Sequence, residues 1–232
     1  MQRRALLAAI AALGIAPGAR GAGAPVVLEL FTSQGCSSCP PADALLGELA
    51  RRPGVIALAW HVDYWDALGW HDPYASRLST DRQRAYATRL GTEVFTPGLV
   101  VDGTTMLVGS ARAEVEAAIA AASPLGVPVA IASGPDGAQA RIGAASGAVT
   151  ALFVAWDPMH ETSVGAGENG GRRLREFHIV RTASVLGAWD GTARDIPLPA
   201  IAPGQGATVL VQAPDLRVVG AAELDPQPPR PV

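Results

Sequence analysis

The chain has 232 residues, 49% hydrophobic and 17% charged, with 18 basic against 21 acidic side chains and a net charge of −3. That length and apolar share exclude the disordered and polyelectrolyte classes. Every basic residue is arginine and the balance is mildly negative, so there is no electrostatic case for nucleic acid. Glycine (26) and proline (19) predict many turns and short strands, and two cysteines are too few for a disulfide framework.

Residues 1–24 read as an export signal. Arg3 and Arg4 give a positive start, residues 5–16 are apolar, and small residues follow up to Ala24. The apolar stretch is well short of the roughly 18 residues that a spanning helix needs. An uncleaved anchor is the alternative reading. The mature chain is expected to be periplasmic or secreted, in an oxidising compartment, with no stable membrane insertion after processing.

Residues 26–31 (VVLELF) have the length and composition of a buried strand. A helix is expected over 41–52, with Leu45, Leu46 and Leu49 on one face, Pro41 in the first turn and Arg51 and Arg52 in the last. Residues 55–61 (VIALAWH) form a second buried strand, and Tyr74, Leu78, Ala85 and Leu90 mark an interrupted helical face across 73–90. Residues 98–101 and 105–108 are short strands joined through Asp102 and Gly103, a hairpin dipeptide. Ser110 is expected to cap a last helix whose Val115, Ala118, Ile119 and Ala122 share a face. Consecutive strand–helix pairs make the first strands parallel and the hairpin adds an antiparallel pair, so the expected α/β sheet is mixed, with helices on both faces.

Beyond residue 122 helical periodicity stops. Residues 123–126 read as a linker. Runs at 129–132, 139–142, 149–156, 174–185, 208–212 and 216–220 are strand-like, with glycine and proline between them. They predict a small antiparallel β-sandwich-like domain at 127–223, behind an α/β domain at 25–122. Residues 224–232 are expected to be a disordered tail.

The strongest chemical signal is Cys36-Ser37-Ser38-Cys39, between the first strand and the first helix. A pair at this spacing closes a disulfide locally, and a helix N-terminus favours a thiolate. Cys36, expected to be the more exposed, is the candidate nucleophile, and Cys39 resolves the mixed disulfide. A structural staple explains the pair poorly, because closing four residues contributes only about 2 kcal/mol and ties nothing distant together. Pro40-Pro41 complicates the picture: a residue before proline avoids the helical region, so the helix is expected to start at Pro41 with both cysteines ahead of it. A passive bridge and a metal site stay as alternatives. Two thiolates need further ligands, and His61 and His71 are the nearest histidines in sequence.

The strand, the cysteine pair, the helix and a later Thr96-Pro97 ahead of a strand resemble the thioredoxin superfamily, in which that proline is cis and faces the cysteines. More narrowly, the segments 28–43 (LELFTSQGCSSCPPAD), 61–74, 82–87 (RQRAYA), 96–103 (TPGLVVDG) and 167–174 (GENGGRRL) resemble a family of exported bacterial thioredoxin-like proteins catalogued as a domain of unknown function. The resemblance implies a thioredoxin-like first domain, with Pro97 holding a substrate backbone and Thr96 beside it. It leaves the activity open. In thioredoxin a buried acid lies six residues before the first cysteine. Leu30 stands there, and Glu29, one residue earlier, serves only if the loop is longer by one, since strand alternation turns it to the other face.

Weaker features stand beside these. Strand ends collect functional residues, which singles out His61, Asp63 and Trp65, with Trp60 and Trp70 near them as an aromatic wall; a packed loop with His61 hydrogen-bonded inside is the plainer explanation. Residues 165–170 match GxGxxG, but a strand-like run follows instead of a helix, so a hairpin loop is expected rather than a dinucleotide site. The arginines at 77, 82, 84 and 89 read as a solvated face.

The resulting expectation is a thiol–disulfide oxidoreductase that uses Cys36, Cys39 and Pro97, without cofactor or metal. Its substrates would be extracytoplasmic proteins or small molecules bearing thiols or disulfides, with a partner to recycle it. The rival expectation is a non-catalytic binding module or copper carrier built on the same pair.

Overall fold

The computed structural model describes residues 24–134 and 137–226. The segment expected as an export signal lies, apart from Ala24, outside the described residues, as does the tail from 227.

Two β-strands, β1 (Val26–Thr32) and β2 (Val55–His61), pair in parallel around α1 (Pro40–Leu49). After β2 a 3-10 helix (Asp63–Leu68) precedes α2 (Arg77–Leu90). Helix α2 is shorter than expected because Ser76, in extended conformation, caps it by accepting the Ser79 N–H, and Gly91 ends it with φ 65°. Strands β3 (Gly98–Val101) and β4 (Thr105–Val108) form the expected hairpin, with β3 antiparallel to β1. In α3 (Arg112–Ala121) the cap position falls on Ala111 instead of Ser110, and no side chain caps it.

Alternation along β1 sorts the core. Leu28 and Leu30 pack with Leu45, Leu46 and Leu49 of α1 and Val115 of α3, whereas Val27 and Phe31 pack with Tyr86 of α2. The helices therefore sit on opposite faces of a mixed sheet.

The later strands extend that sheet. It has eight strands in the order β11-β10-β7-β8-β2-β1-β3-β4, where β7 is Val149–Ser163, β8 Arg173–Trp189, β10 Gly206–Gln212 and β11 Val218–Leu224. The join is a parallel pairing of β8 on β2 at Ile179 and Ala59. A second sheet, β5 (Val129–Gly134), β6 (Gly137–Ile142) and β9 (Arg194–Pro197), packs Ala140 and Ile142 on Val149, Ala151, Val209 and Val211. Strand β9 has too few apolar residues for the pattern to reveal it.

Strands β7 and β8 make a hairpin of 15 and 17 residues, about 50 Å long at 3.3 Å per residue. Its root lies on the three-stranded sheet. Toward its tip, β8 passes over α1 so closely that a Cβ on Gly47 would sit 2.2 Å from the Phe177 ring. The hairpin thereby carries its tip loop to the cysteines.

Candidate functional site

Strand β1 delivers the cysteine turn. The Cys36 N–H donates to the Ser33 carbonyl at 3.1 Å and the Cys39 N–H to the Cys36 carbonyl at 3.2 Å. Cys39 is the N-cap of α1 with φ −77° and ψ −37°, and its carbonyl accepts from Ala42 and Asp43 at 2.8 and 3.1 Å. Thus the helix starts one residue earlier than expected, and Cys39 is helical although proline follows. Those two hydrogen bonds offset the pre-proline crowding. Cys36 and Cys39 are joined as a disulfide with 5.4 Å between their Cα atoms. The greater exposure expected of Cys36 is not found: both cysteines have 0% exposed surface.

The Pro97 loop packs beside this turn. Thr96-Pro97 is a cis peptide. A Cβ on Gly109 would lie 2.6 Å from Leu30 Cδ1, 3.2 Å from Ala42 Cβ and 3.5 Å from Pro97 Cβ, so Gly109 sits between the first turn of α1 and the proline, with room for no larger side chain against Leu30. Trp65 spans the two loops. Its indole N–H donates to Thr96 Oγ1 at 2.8 Å, and its Cβ would be 3.1 Å from a Cβ on Gly35. Asp63 turns away toward α2, where the Thr80 hydroxyl donates to its Oδ1 at 2.6 Å. Glu29 is also turned away from α1. On the α2 face its carboxylate takes two hydrogen bonds from Arg82, at 2.5 and 2.9 Å, and a third from the Tyr86 hydroxyl at 2.6 Å.

The buried acids beside the cysteine turn are ones that sequence reasoning did not single out. Asp43, one turn into α1, accepts from the Thr32 hydroxyl at 2.8 Å. His61 Nδ1 lies 2.7 Å from Asp72 Oδ2, which also accepts the Gln34 N–H at 2.8 Å. The Gln34 amide nitrogen donates to Glu176 at 2.7 Å, and its oxygen accepts from the Trp70 indole at 2.9 Å. Asp43, His61, Asp72 and Glu176 are all buried.

Three carboxyls around one imidazole cannot all ionise in such a place. Burial, reinforced by the charges of Glu176 and Asp72 and opposed by His61, pushes the Asp43 carboxyl up to about 7. Burial acts to lower the His61 pKa, but the charge and hydrogen bond of Asp72, with Glu176 and Asp43 behind it, outweigh that and raise it to about 9. Asp72 is lowered despite burial, because the His61 cation and two backbone N–H groups hold its charge. Burial raises Glu176. His61 and Asp72 thus form an ion pair, and Asp43 exchanges its proton near neutral pH.

The hairpin tip closes the site. Asn169 is fully buried, and its amide nitrogen donates to the carbonyls of Gln34 and Cys36, both at 2.9 Å. The Glu168 carboxylate accepts the Ser37 N–H at 3.0 Å. This is the GxGxxG segment. It joins two strands, as expected of a hairpin loop, and what it holds is the cysteine turn.

Among the described residues no group of three or more His, Cys, Asp and Glu side chains is placed to hold a metal, and none of the helices is long and apolar enough to cross a membrane. A cleft of about 510 Å³ lies away from the cysteines, between α3 and the 217–219 segment, with Asp102, Ala118, Leu125 and Arg217 in its walls.

Fold and site together define a mixed α/β protein with a disulfide-bonded CxxC pair at a helix N-terminus, backed by buried acids. The model of the family described as "Protein of unknown function (DUF1223)" matches residues 27–212, and the chain belongs to that family. The chain is similar to the crystal structure of protein AGR_C_4864 from Agrobacterium tumefaciens, with a TM-score of 0.80 and 30% identity over 91% of this chain and 99% of that one. It also shares its fold with HBP35 of Porphyromonas gingivalis, with a TM-score of 0.56 and 15% identity over 90% of this chain and 78% of that one. No curated protein matches.

Proposed function

We propose that the protein is a thiol–disulfide oxidoreductase of thioredoxin-like type, working outside the cytoplasm after removal of residues 1–24. Its substrates are proteins or small molecules bearing thiols or disulfides. The observation that carries this reading is the Cys36–Cys39 disulfide at the N-terminus of α1, with the protonatable Asp43 one turn behind it. The parallel β1–β2 pair, the β3–β4 hairpin and the cis-Pro97 loop packed on α1 support the thioredoxin-like arrangement. On this reading residues 25–122 are the exchange domain and 127–223 a β-sandwich-like addition that extends its sheet and brings the tip of one hairpin to the cysteine turn.

In the oxidising direction the turn must first open to expose the buried Cys36. A substrate thiolate then attacks Cys36 Sγ, the Cys36–Cys39 bond breaks and a mixed disulfide forms. Cys39 leaves as a thiolate and takes a proton from the Asp43 carboxyl. A second substrate thiolate then attacks the substrate sulfur of the mixed disulfide, and Cys36 leaves. The substrate departs as a disulfide, and two electrons have passed to the protein. In reverse, the Cys36 thiolate attacks a substrate disulfide and Cys39 releases the product. Pro97 and Thr96 hold the substrate backbone, Trp65 fixes Thr96, and a redox partner restores the starting state.

The test is equilibration of the mature protein with glutathione buffers, read by thiol trapping and mass spectrometry. A reversible transition supports exchange. A potential near about −120 to −180 mV marks an oxidase or isomerase, and one near about −270 mV a reductant. A pair that stays in one state overturns the reading in favour of a binding module or copper carrier.

A further inference from the structure

The loop between β7 and β8 is built to present one carboxylate to the cysteine turn. Its shape is set by the Gly171 N–H donating to the Val164 carbonyl at 2.8 Å and the Arg172 N–H donating to the Asn169 carbonyl at 3.0 Å. Gly167, with φ 70°, lies against Trp70, where a Cβ would be 3.1 Å from the Trp70 Cβ. Asn169 uses both polar ends. Its nitrogen holds the carbonyls of Gln34 and Cys36, and its oxygen accepts from Arg172 at 2.7 Å. With Asn169 pinned, the neighbouring Glu168 stands at the surface over Ser37, the residue that follows Cys36. The Ser37 amide donates to the carboxylate at 3.0 Å, and the Ser37 side chain and amide together lower its pKa and keep it charged at neutral pH.

We infer that Glu168 is a positioning residue that restrains Cys36: it occupies the Ser37 N–H and sets a negative charge against the Cys36 thiolate. This deepens the exchange reading and rests on it. Backbone N–H groups after a nucleophilic cysteine stabilise its thiolate, and a carboxylate beside it does the opposite. Glu168 therefore favours the disulfide over the thiolate and makes the pair less oxidising than the helix terminus alone would. The other titratable or charged groups packed about this turn are Asp43 of α1, His61 of β2, Asp66, His71 and Asp72 of the following segment, Arg172 of the loop and Glu176 of β8. None of them changes in the variants below.

The experiment is alkylation of Cys36 in the full mature protein after reduction by a phosphine, followed from pH 4 to 10 by mass spectrometry. In Glu168→Gln, which keeps an acceptor for Ser37 but removes the charge, the alkylation midpoint moves to lower pH. The rate at pH 7 rises about three- to tenfold, in line with loss of one nearby charge. The difference shrinks in 1 M salt, because the carboxylate is exposed, and Glu168→Asp restores most of the wild-type profile. An unmoved midpoint in Glu168→Gln, or a shift that salt leaves intact, overturns the inference. The readout uses chemically reduced protein. A wild-type pair that fails to equilibrate with glutathione thus sinks the exchange reading, while the midpoint still judges Glu168.

Discussion

The Asp72 carboxylate lies 2.7 Å from His61 Nδ1, and neither side chain has any exposed surface. A buried ion pair is costly to break from one side, since the survivor keeps its desolvation penalty without its partner. His61→Ala leaves Asp72 with only the backbone amides of Gln34 and Tyr74. It should destabilise the protein by about 3–5 kcal/mol, measured by urea denaturation at pH 6.

The same pair makes stability depend on pH. The folded His61 pKa, about 9, lies above its ordinary 6.5, so the folded state binds more protons between those values. The contribution is fully present below about pH 6.5 and is lost as pH rises through about 9. Urea midpoints at fixed ionic strength should fall across this window in the wild type. In a His61→Asn variant that part of the decline should be absent.

Asp43 behaves with the same sign at lower pH. Its folded value of about 7 against 3.8 means that the proton held in the fold stabilises fully below about 3.8 and that this contribution is lost as pH rises through about 7. Asp43→Asn is neutral throughout. Relative to wild type it should therefore gain stability between pH 5 and pH 8, by on the order of 1–3 kcal/mol, in denaturation of the oxidised protein. On the exchange reading it should also slow release of Cys39 most strongly below pH 7. Equal pH dependence in variant and wild type would contradict both statements.

Glu29 and Arg82 tie β1 to α2, with Gln212 of β10 joined through the Tyr86 hydroxyl at 3.0 Å. Glu29→Ala strands a buried guanidinium and should cost about 3–5 kcal/mol, whereas Glu29→Leu combined with Arg82→Met should cost far less. Because Glu29 faces away from α1, the glutathione equilibrium of the oxidised pair should not move in the double variant.

Gly47 tests the crossing of β8 over α1. Alanine gains up to about 1 kcal/mol of helix propensity, but its Cβ would overlap the Phe177 ring at 2.2 Å. Overpacking costs about 1–3 kcal/mol and should win. Thermal denaturation should show a lower midpoint for Gly47→Ala, and Phe177→Leu should recover part of it.

The local elements were legible because their signals are local. Period-two and 3.6-residue patterns place β1, β2, β3, β4 and the helices within a few residues, and the spacing of Cys36 and Cys39 marks the chemistry without any tertiary knowledge. Thr96-Pro97 was legible through resemblance. Helix α1 begins at Pro40 rather than Pro41 because the hydrogen bonds to the Cys39 carbonyl outweigh the steric bias against a helical residue before proline.

What the chain by itself determined is the succession of strands and helices in its first half, the cysteine pair and the helix that carries it. Tertiary structure alone decided what surrounds that pair. No local pattern singles out Asp43, Asp72 or Glu176, and they become a buried set only because α1, the 61–72 segment and β8 converge on β1. Asn169 lies 133 residues from the cysteine whose carbonyl it holds. No local pattern encodes such a contact, since it depends on where a 17-residue strand begins once β8 has paired with β2. Burial is a property of the assembled sheet, and burial moves the carboxyl pKa values.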